Sequence, residues 1–187
     1  MMGTTDRLEA GARIGDYVVD RELAAKPGLV AYSATHALLP RRTRIVCVHP
    51  AFAGLQTMSV KLMREACLLE ALRHPGVPRV YECGLLADRR PWVATELIEG
   101  PTVASLLATE GPLSVPAVLG LLADIAEILH HVHARGCVHR NLRPEVIARR
   151  AEGPCILDWA DARGQESEGW PLARPDTLEY QPPEVVA

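Results

Sequence analysis

Residues 137–147 read Cys-Val-His-Arg-Asn-Leu-Arg-Pro-Glu-Val-Ile. The stretch begins where a long helix should end: residues 114–135 carry Ser114 as a good N-cap, and Gly136 comes next as the stop. Short strands are expected on its far side, around 145–148 and 155–157. Asn141 can hydrogen-bond through its amide but has no useful basicity. Val146 offers no oxygen to a hard cation.

This stretch resembles the catalytic loop of protein kinases, whose usual form is H-R-D-L-K-P-E-N. Six other segments keep the order of that family. Residues 17–23 (YVVDREL) read as a first strand, and 45–49 (IVCVH) as the strand that carries V-A-I-K. Residues 63–84 (MREACLLEALRHPGVPRVYECG) look like the small-lobe helix, its exit turn and the next strand. Residues 92–100 (WVATELIEG) resemble the strand into the hinge, with Glu99-Gly100-Pro101 as the hinge exit. Residues 156–163 (ILDWADAR) sit where D-F-G belongs, and 177–184 (TLEYQPPE) where A-P-E belongs. The likeness covers roughly residues 16–187 and is closest to bacterial Ser/Thr protein kinases. It implies an α+β, protein kinase-like fold with a complete N-lobe (antiparallel sheet plus one helix) and a partial, truncated helical C-lobe. The expected division is a flexible tail at 1–15, the N-lobe at 16–98 and the partial C-lobe at 99–187.

The resemblance also assigns the chemical positions. Asn141 stands at the catalytic Asp, Arg143 at the loop Lys and Val146 at the metal-binding Asn. Eighteen of the twenty basic residues are Arg, with Lys26 and Lys61 the exceptions, so Arg143 for Lys is the least informative change. His49 falls at the V-A-I-K lysine, and Glu65 at the helix glutamate that pairs with it. A Glu65–His49 contact would keep a structural link. Phosphate cradling needs residues without a Cβ and free backbone amides. The glycine positions hold Ala24, Lys26 and Leu29, Gly28 is off-pattern, and Pro27 has no amide proton. Ala24, Lys26, Ala31, Cys47, Glu96, Ile98 and Ala148 mark a degenerate nucleotide pocket, with Ala148 at the adenine floor. Lys26 could reach a phosphate from the loop as a substitute cation. Asp158 is the retained candidate for metal binding; its structural alternative is to cap the turn after the strand. Trp159 and Ala160 replace the Phe and Gly of D-F-G. Leu69, Val80, His139 and Trp159 match the apolar stack of active kinases, so packing positions persist where chemical ones do not.

The bulk numbers fit this reading. A length of 187 residues suits one domain or two small lobes. Net charge −3 leaves no footprint for nucleic acid or an anionic membrane. The N-terminus lacks an apolar signal core. The most apolar stretch, 113–132, contains Asp124, Glu127, His130 and His131, and reads as an amphipathic helix rather than a membrane span. Five scattered cysteines, never spaced C-x-x-C, suit a reduced cytoplasmic protein. His130, His131 and His133 lack partner ligands and read as packing or a solvated helix face.

The expectation is a pseudokinase-type binding or regulatory module without efficient phosphotransfer, with no cofactor and with a protein partner or self-association. Two alternatives stand beside it. One is an ATP- and Mg²⁺-dependent kinase with an atypical site using Asp158. The other is a fragment that works only with a partner chain supplying further helices.

Overall fold

The computed structural model describes residues 7–164 and 179–180. Residues 165–178, and all of the A-P-E-like region but Glu179 and Tyr180, lie outside the described residues. The chain forms two compact units. One comprises residues 1–71 and 79–97, the other 72–78 and 98–187.

The first unit is built on a six-stranded antiparallel sheet: β1 (Arg13–Ile14), β2 (Tyr17–Lys26), β3 (Leu29–His36), β4 (Arg42–Val48), β5 (Val80–Leu85) and β6 (Pro91–Glu96), in spatial order β1-β2-β3-β4-β6-β5. Its residues are mostly β-branched or aromatic at the positions that pack. Helix α1 (Gln56–Leu72) lies on one face. There Leu62 and Ala66 join Ala31, Val46, Val48 and Val93 in one core cluster. The opposite face holds Ile14, Tyr17, Val19, Val30, Tyr32, Ala34, Ile45, Cys47, Trp92 and Ala94 in a second cluster. The sheet is thus buried on both sides, and alternate residues of β4 serve different cores. Burying each larger apolar side chain is worth about 1.5–3 kcal/mol.

The expected loose tail at 1–15 is corrected over its described part. Within residues 7–15, Arg13 and Ile14 form β1 of the sheet, and Leu8 and Ala12 pack on the outer cluster. Gly11 N–H donates to Val19 O (2.8 Å) and Val19 N–H to Ala12 O (2.9 Å). Ile14 pairs with Tyr17 and is 1% exposed, while Arg7 meets Glu22 at 3.0 Å. Apolar residues alternate at Leu8, Ala10, Ala12 and Ile14, a weak period-two signal, and the apolar cluster on the outer face, against which Leu8 and Ala12 also pack, buries Ile14.

In the second unit, residues 72–78 join the chain beyond the hinge. Gly76 O accepts from Ile156 N–H (2.8 Å), Leu72 O lies 2.7 Å from His131 Nε2, and the Arg150 guanidinium reaches Pro75 O at 2.5 Å. Helix α2 (Val103–Glu110) has no counterpart among the expected elements; Thr102 caps it by accepting from Ser105 N–H. Helix α3 (Val115–His133) starts on the Ser114 cap, and Gly136 lies beyond its end at φ +69, a left-handed exit that glycine makes without strain. It packs on β7 (Cys137–Val138) and on β9 (Gly153–Ile156), burying Ile125, Ile128 and Val132. By length and composition α3 could also cross a bilayer. Strand β8 (Ile147–Arg150) pairs antiparallel with β9, and β10 (Arg163–Gly164) with β7.

The fold of residues 7–15 predicts that Ile14→Ala costs about 2–5 kcal/mol. Urea unfolding should show a lowered midpoint with an unchanged slope. A change within about 0.5 kcal/mol would mean the segment is a tail after all.

Candidate functional site

In the first unit, β2 and β3 zip together to their last residues. Ala24 pairs with Ala31, Ala25 with Val30 and Lys26 with Leu29, leaving only Pro27-Gly28 as the turn. Gly28 has φ +82, and a Cβ there would strike the Met58 side chain at 2.5 Å. Its carbonyl accepts from His49 N–H at 2.9 Å. The hairpin is thus a ladder closed by a two-residue turn in which Pro27 has no amide proton.

The row Ala24–Ala31–Val46–Val93–Cys83 runs across five strands on the α1 face. Val48, two residues beyond Val46, shares that face and is fully buried. A lysine able to pair with a glutamate of α1 must project from this face, so the V-A-I-K position is Val48. The assignment to His49 is corrected. His49 lies past the strand end, where its Nδ1 accepts from Ala51 N–H (3.2 Å) and its ring meets Phe52 edge-on at 6.1 Å. The expected Glu65–His49 link gives way to these local contacts; Glu65 itself is half-buried on α1. Cys47 is also corrected as a pocket residue. Its side chain belongs to the outer cluster, and burial pushes its thiol up to about 11. Glu96 closes β6, pairing with Thr43 and bonding backbone to backbone with Arg79 (2.7 Å). Ile98 falls in the other unit.

In the second unit the loop at 139–146 and the turn at 158–161 are held by a buried imidazole. His139 Nδ1 accepts from Asn141 N–H (3.3 Å), so Nε2 carries the proton and donates to Leu157 O at 2.9 Å. Its ring stands edge-on to Trp159 with centroids 4.5 Å apart, and Trp159 Nε1 donates to Ile156 O at 2.7 Å. Both side chains are buried. Leu157 N–H donates to Val146 O at 2.7 Å, and Val146 itself is 3% exposed. Asp158 adopts a left-handed conformation (φ 60, ψ 63) ahead of the 3-10 turn Trp159–Asp161 and makes no side-chain cap bond to it. The capping alternative for Asp158 therefore fails.

The polar groups that do converge are Asn141, Arg143 and Asp158. Asn141 Nδ2 donates to Asp158 Oδ2 (3.4 Å), Arg143 donates to Asn141 Oδ1 (3.5 Å), and a second guanidinium nitrogen lies 3.8 Å from Asp158 Oδ2. Arg143 also faces Glu145 at 3.6 Å. Sequence reading missed this convergence, although the i, i+2 placing of Asn141 and Arg143 hinted at half of it. Ala148, 1% exposed, bridges to Thr102 at the start of α2. Among the described residues no group of three His, Cys, Asp or Glu is placed to hold a metal ion.

An antiparallel sheet carrying one helix, succeeded by a unit in which a His-Arg-Asn loop is tied to an Asp-Trp-Ala turn, defines a kinase-like fold with part of the larger lobe. A family model described as protein tyrosine and serine/threonine kinase matches residues 42–150, and the chain belongs to this family. It is 33% identical over 156 residues to the serine/threonine-protein kinase AfsK of Streptomyces coelicolor, covering 81% of this chain and 19% of that protein. Against PknL of Mycobacterium tuberculosis the identity is 29% over 155 residues, covering 83% and 39%. The chain thus spans well under half of these relatives. Among solved structures it is similar to the apo form of PpkA-294, with TM-score 0.70 and 20% identity, covering 83% of this chain and 62% of that one. The PknI kinase domain of Mycobacterium tuberculosis gives TM-score 0.67 and 21% identity, covering 94% and 68%.

Burial holds the His139 pKa below its ordinary 6.5, and burial together with the neighbouring His131 does the same at His74. The unfolded chain therefore takes up these protons first as pH falls, and protonation favours unfolding. Stability should be full above about pH 6.5 and decline progressively as the pH falls below it. Urea titrations of His139→Gln should show lower stability overall and only the part of this slope that belongs to His74. An unchanged slope would show that His139 is not buried as the neutral ring.

Proposed function

We propose that this chain is a cytoplasmic pseudokinase-type module that binds a protein partner and does not transfer phosphate efficiently. The observation that carries the reading is the Asn141–Arg143–Asp158 cluster. The counter-charge beside Asp158 is a guanidinium belonging to the chain itself, and the neighbouring ligand position is an apolar valine.

Kinases of this family work with ATP and Mg²⁺, and the residues here do not fit that pair. The hairpin has no open glycine loop, the α1 face carries Val46 and Val48 where a cation is needed, and Val146 supplies no oxygen to a metal. Asn141 cannot take the proton of an acceptor hydroxyl. Losses at groups that act as a unit are not made good singly. The second unit does retain the buried packing of His139 on Trp159, which keeps a kinase-like loop in place.

The partner face is supported by α3. Val115, Leu119 and Leu122 are 72%, 62% and 55% exposed at i, i+4, i+7 spacing, and Val118 lies on the same stripe. Exposed apolar patches of this kind favour docking or self-association.

Labelling with radioactive ATP and Mg²⁺ should give no phosphate incorporation above that of Asp158→Ala, and millimolar nucleotide should shift the melting temperature by less than about 1 °C. Mg²⁺-dependent labelling that Asp158→Ala abolishes would establish a working kinase instead. For the partner face, light scattering should show association that Leu119→Lys with Leu122→Lys weakens. A cooperatively folding monomer at high concentration would end that part of the proposal.

A further inference from the structure

A groove of about 670 Å³ opens in the first unit between α1 and the edge of the sheet. One wall is a stripe of α1: Gln56, Ser59, Val60, Met63 and Cys67 succeed one another at helical spacing. The other is β5, which among the described residues pairs only with β6 and contributes Cys83, Gly84 and Leu85, with Pro91 behind. The cross-strand pairing of Cys83 with the α1-facing Val93 explains why the Cys83 thiol looks into the groove. The lining is almost wholly apolar, and Val60 and Leu85 are 58% and 61% exposed.

Two cations also line this groove, Arg64 on α1 and Arg89 in the turn between β5 and β6. Both side chains are exposed, and neither guanidinium has a hydrogen-bond or ion-pair partner among the described residues. Among the described residues no carboxylate lines the groove. An apolar trough with two uncommitted guanidinium groups and no acid is complementary to a molecule with one anionic end and an apolar body.

We infer that this groove binds a small anionic amphiphile, a free long-chain acyl carboxylate, with the carboxylate between Arg64 and Arg89 and the chain along Val60, Met63 and Leu85. The volume lies in the range of small-molecule sites. An extended peptide would bring an amide and a carbonyl per residue into a lining with few polar partners, which is costly, whereas an acyl chain brings none. A membrane surface is disfavoured because the apolar residues line a concavity and the chain has a net charge of −3.

Cys67 and Cys83 are exposed reporters in the groove, and Cys47, Cys137 and Cys155 are buried internal controls. The rate of N-ethylmaleimide alkylation at each cysteine, read by peptide mass spectrometry, should fall at Cys67 and Cys83 alone as dodecanoate is added below its micelle concentration. Dodecanol should protect about tenfold less well, and Arg64→Gln with Arg89→Gln should raise the half-protecting dodecanoate concentration about tenfold, the effect of losing a charge-assisted contact. Circular dichroism melting checks that this surface variant folds, and Val60→Trp, which fills the trough and leaves the arginines, should abolish protection independently. The inference is overturned if dodecanoate gives no protection, or if dodecanol and the arginine variant behave as dodecanoate does with the parent chain. It is also overturned if an acidic apolar peptide or anionic phospholipid vesicles protect where dodecanoate does not. None of these readouts depends on whether the chain transfers phosphate.

Discussion

Strand β4 is buried on both faces, and much of the first unit derives from that constraint. Side chains along a strand alternate, so Ile45 and Cys47 must serve one core and Val46 and Val48 the other. A shift of one residue would exchange the two sets and place Arg44 among apolar groups. The outer cluster draws residues 7–15 onto the sheet, with Ile14 beside Tyr17 and Trp92. The inner cluster seats α1 through Leu62 and Ala66. A cation at position 48 would be buried here and would need a full partner; valine meets the packing requirement and carries no charge.

The second unit depends on a buried polar group in the same way. His139 satisfies both ring nitrogens with Asn141 N–H and Leu157 O, and its ring edge packs on Trp159. These contacts use backbone groups and an apolar face, so they tolerate a change from Asp to Asn at 141. The loop geometry thus does not depend on an Asp at 141, and this chain keeps it. Arg143 brings the chain's own positive charge to Asp158.

Helix α3 shows how burial is divided within the same unit. Ile125, Ile128 and Val132 in its later turns are covered, and the Ile128 side chain lies where a Cβ on residue 76 would be. Val115, Leu119 and Leu122 in its first turns are open. An apolar content high enough for a membrane span thus resolves, on the helix surface, into a docked face and an exposed one. The thiols sort similarly: Cys47, Cys137 and Cys155 are core residues, while Cys67 and Cys83 face a groove.

The first strand at 17–23, the strand into the hinge from Trp92, the cap at Ser114 and the stop at Gly136 were legible because each rests on a local signal: periodicity, a capping hydroxyl or a left-handed turn. The substitutions at 141, 143 and 146 were equally legible, since the polar loop around them is continuous in the chain. Helix α2 was missed because its eight residues offer barely two turns of pattern. The sequence by itself determined which chemical groups this protein has: no base at 141, no oxygen at 146 and a proline in place of an amide donor at 27. Only the tertiary structure decided where they point. Val48 rather than His49 faces α1, Cys47 faces away, and Arg143 reaches Asp158. A strand's pattern of alternation is written locally, but which of its two faces meets a given helix is settled by packing between segments far apart in the chain.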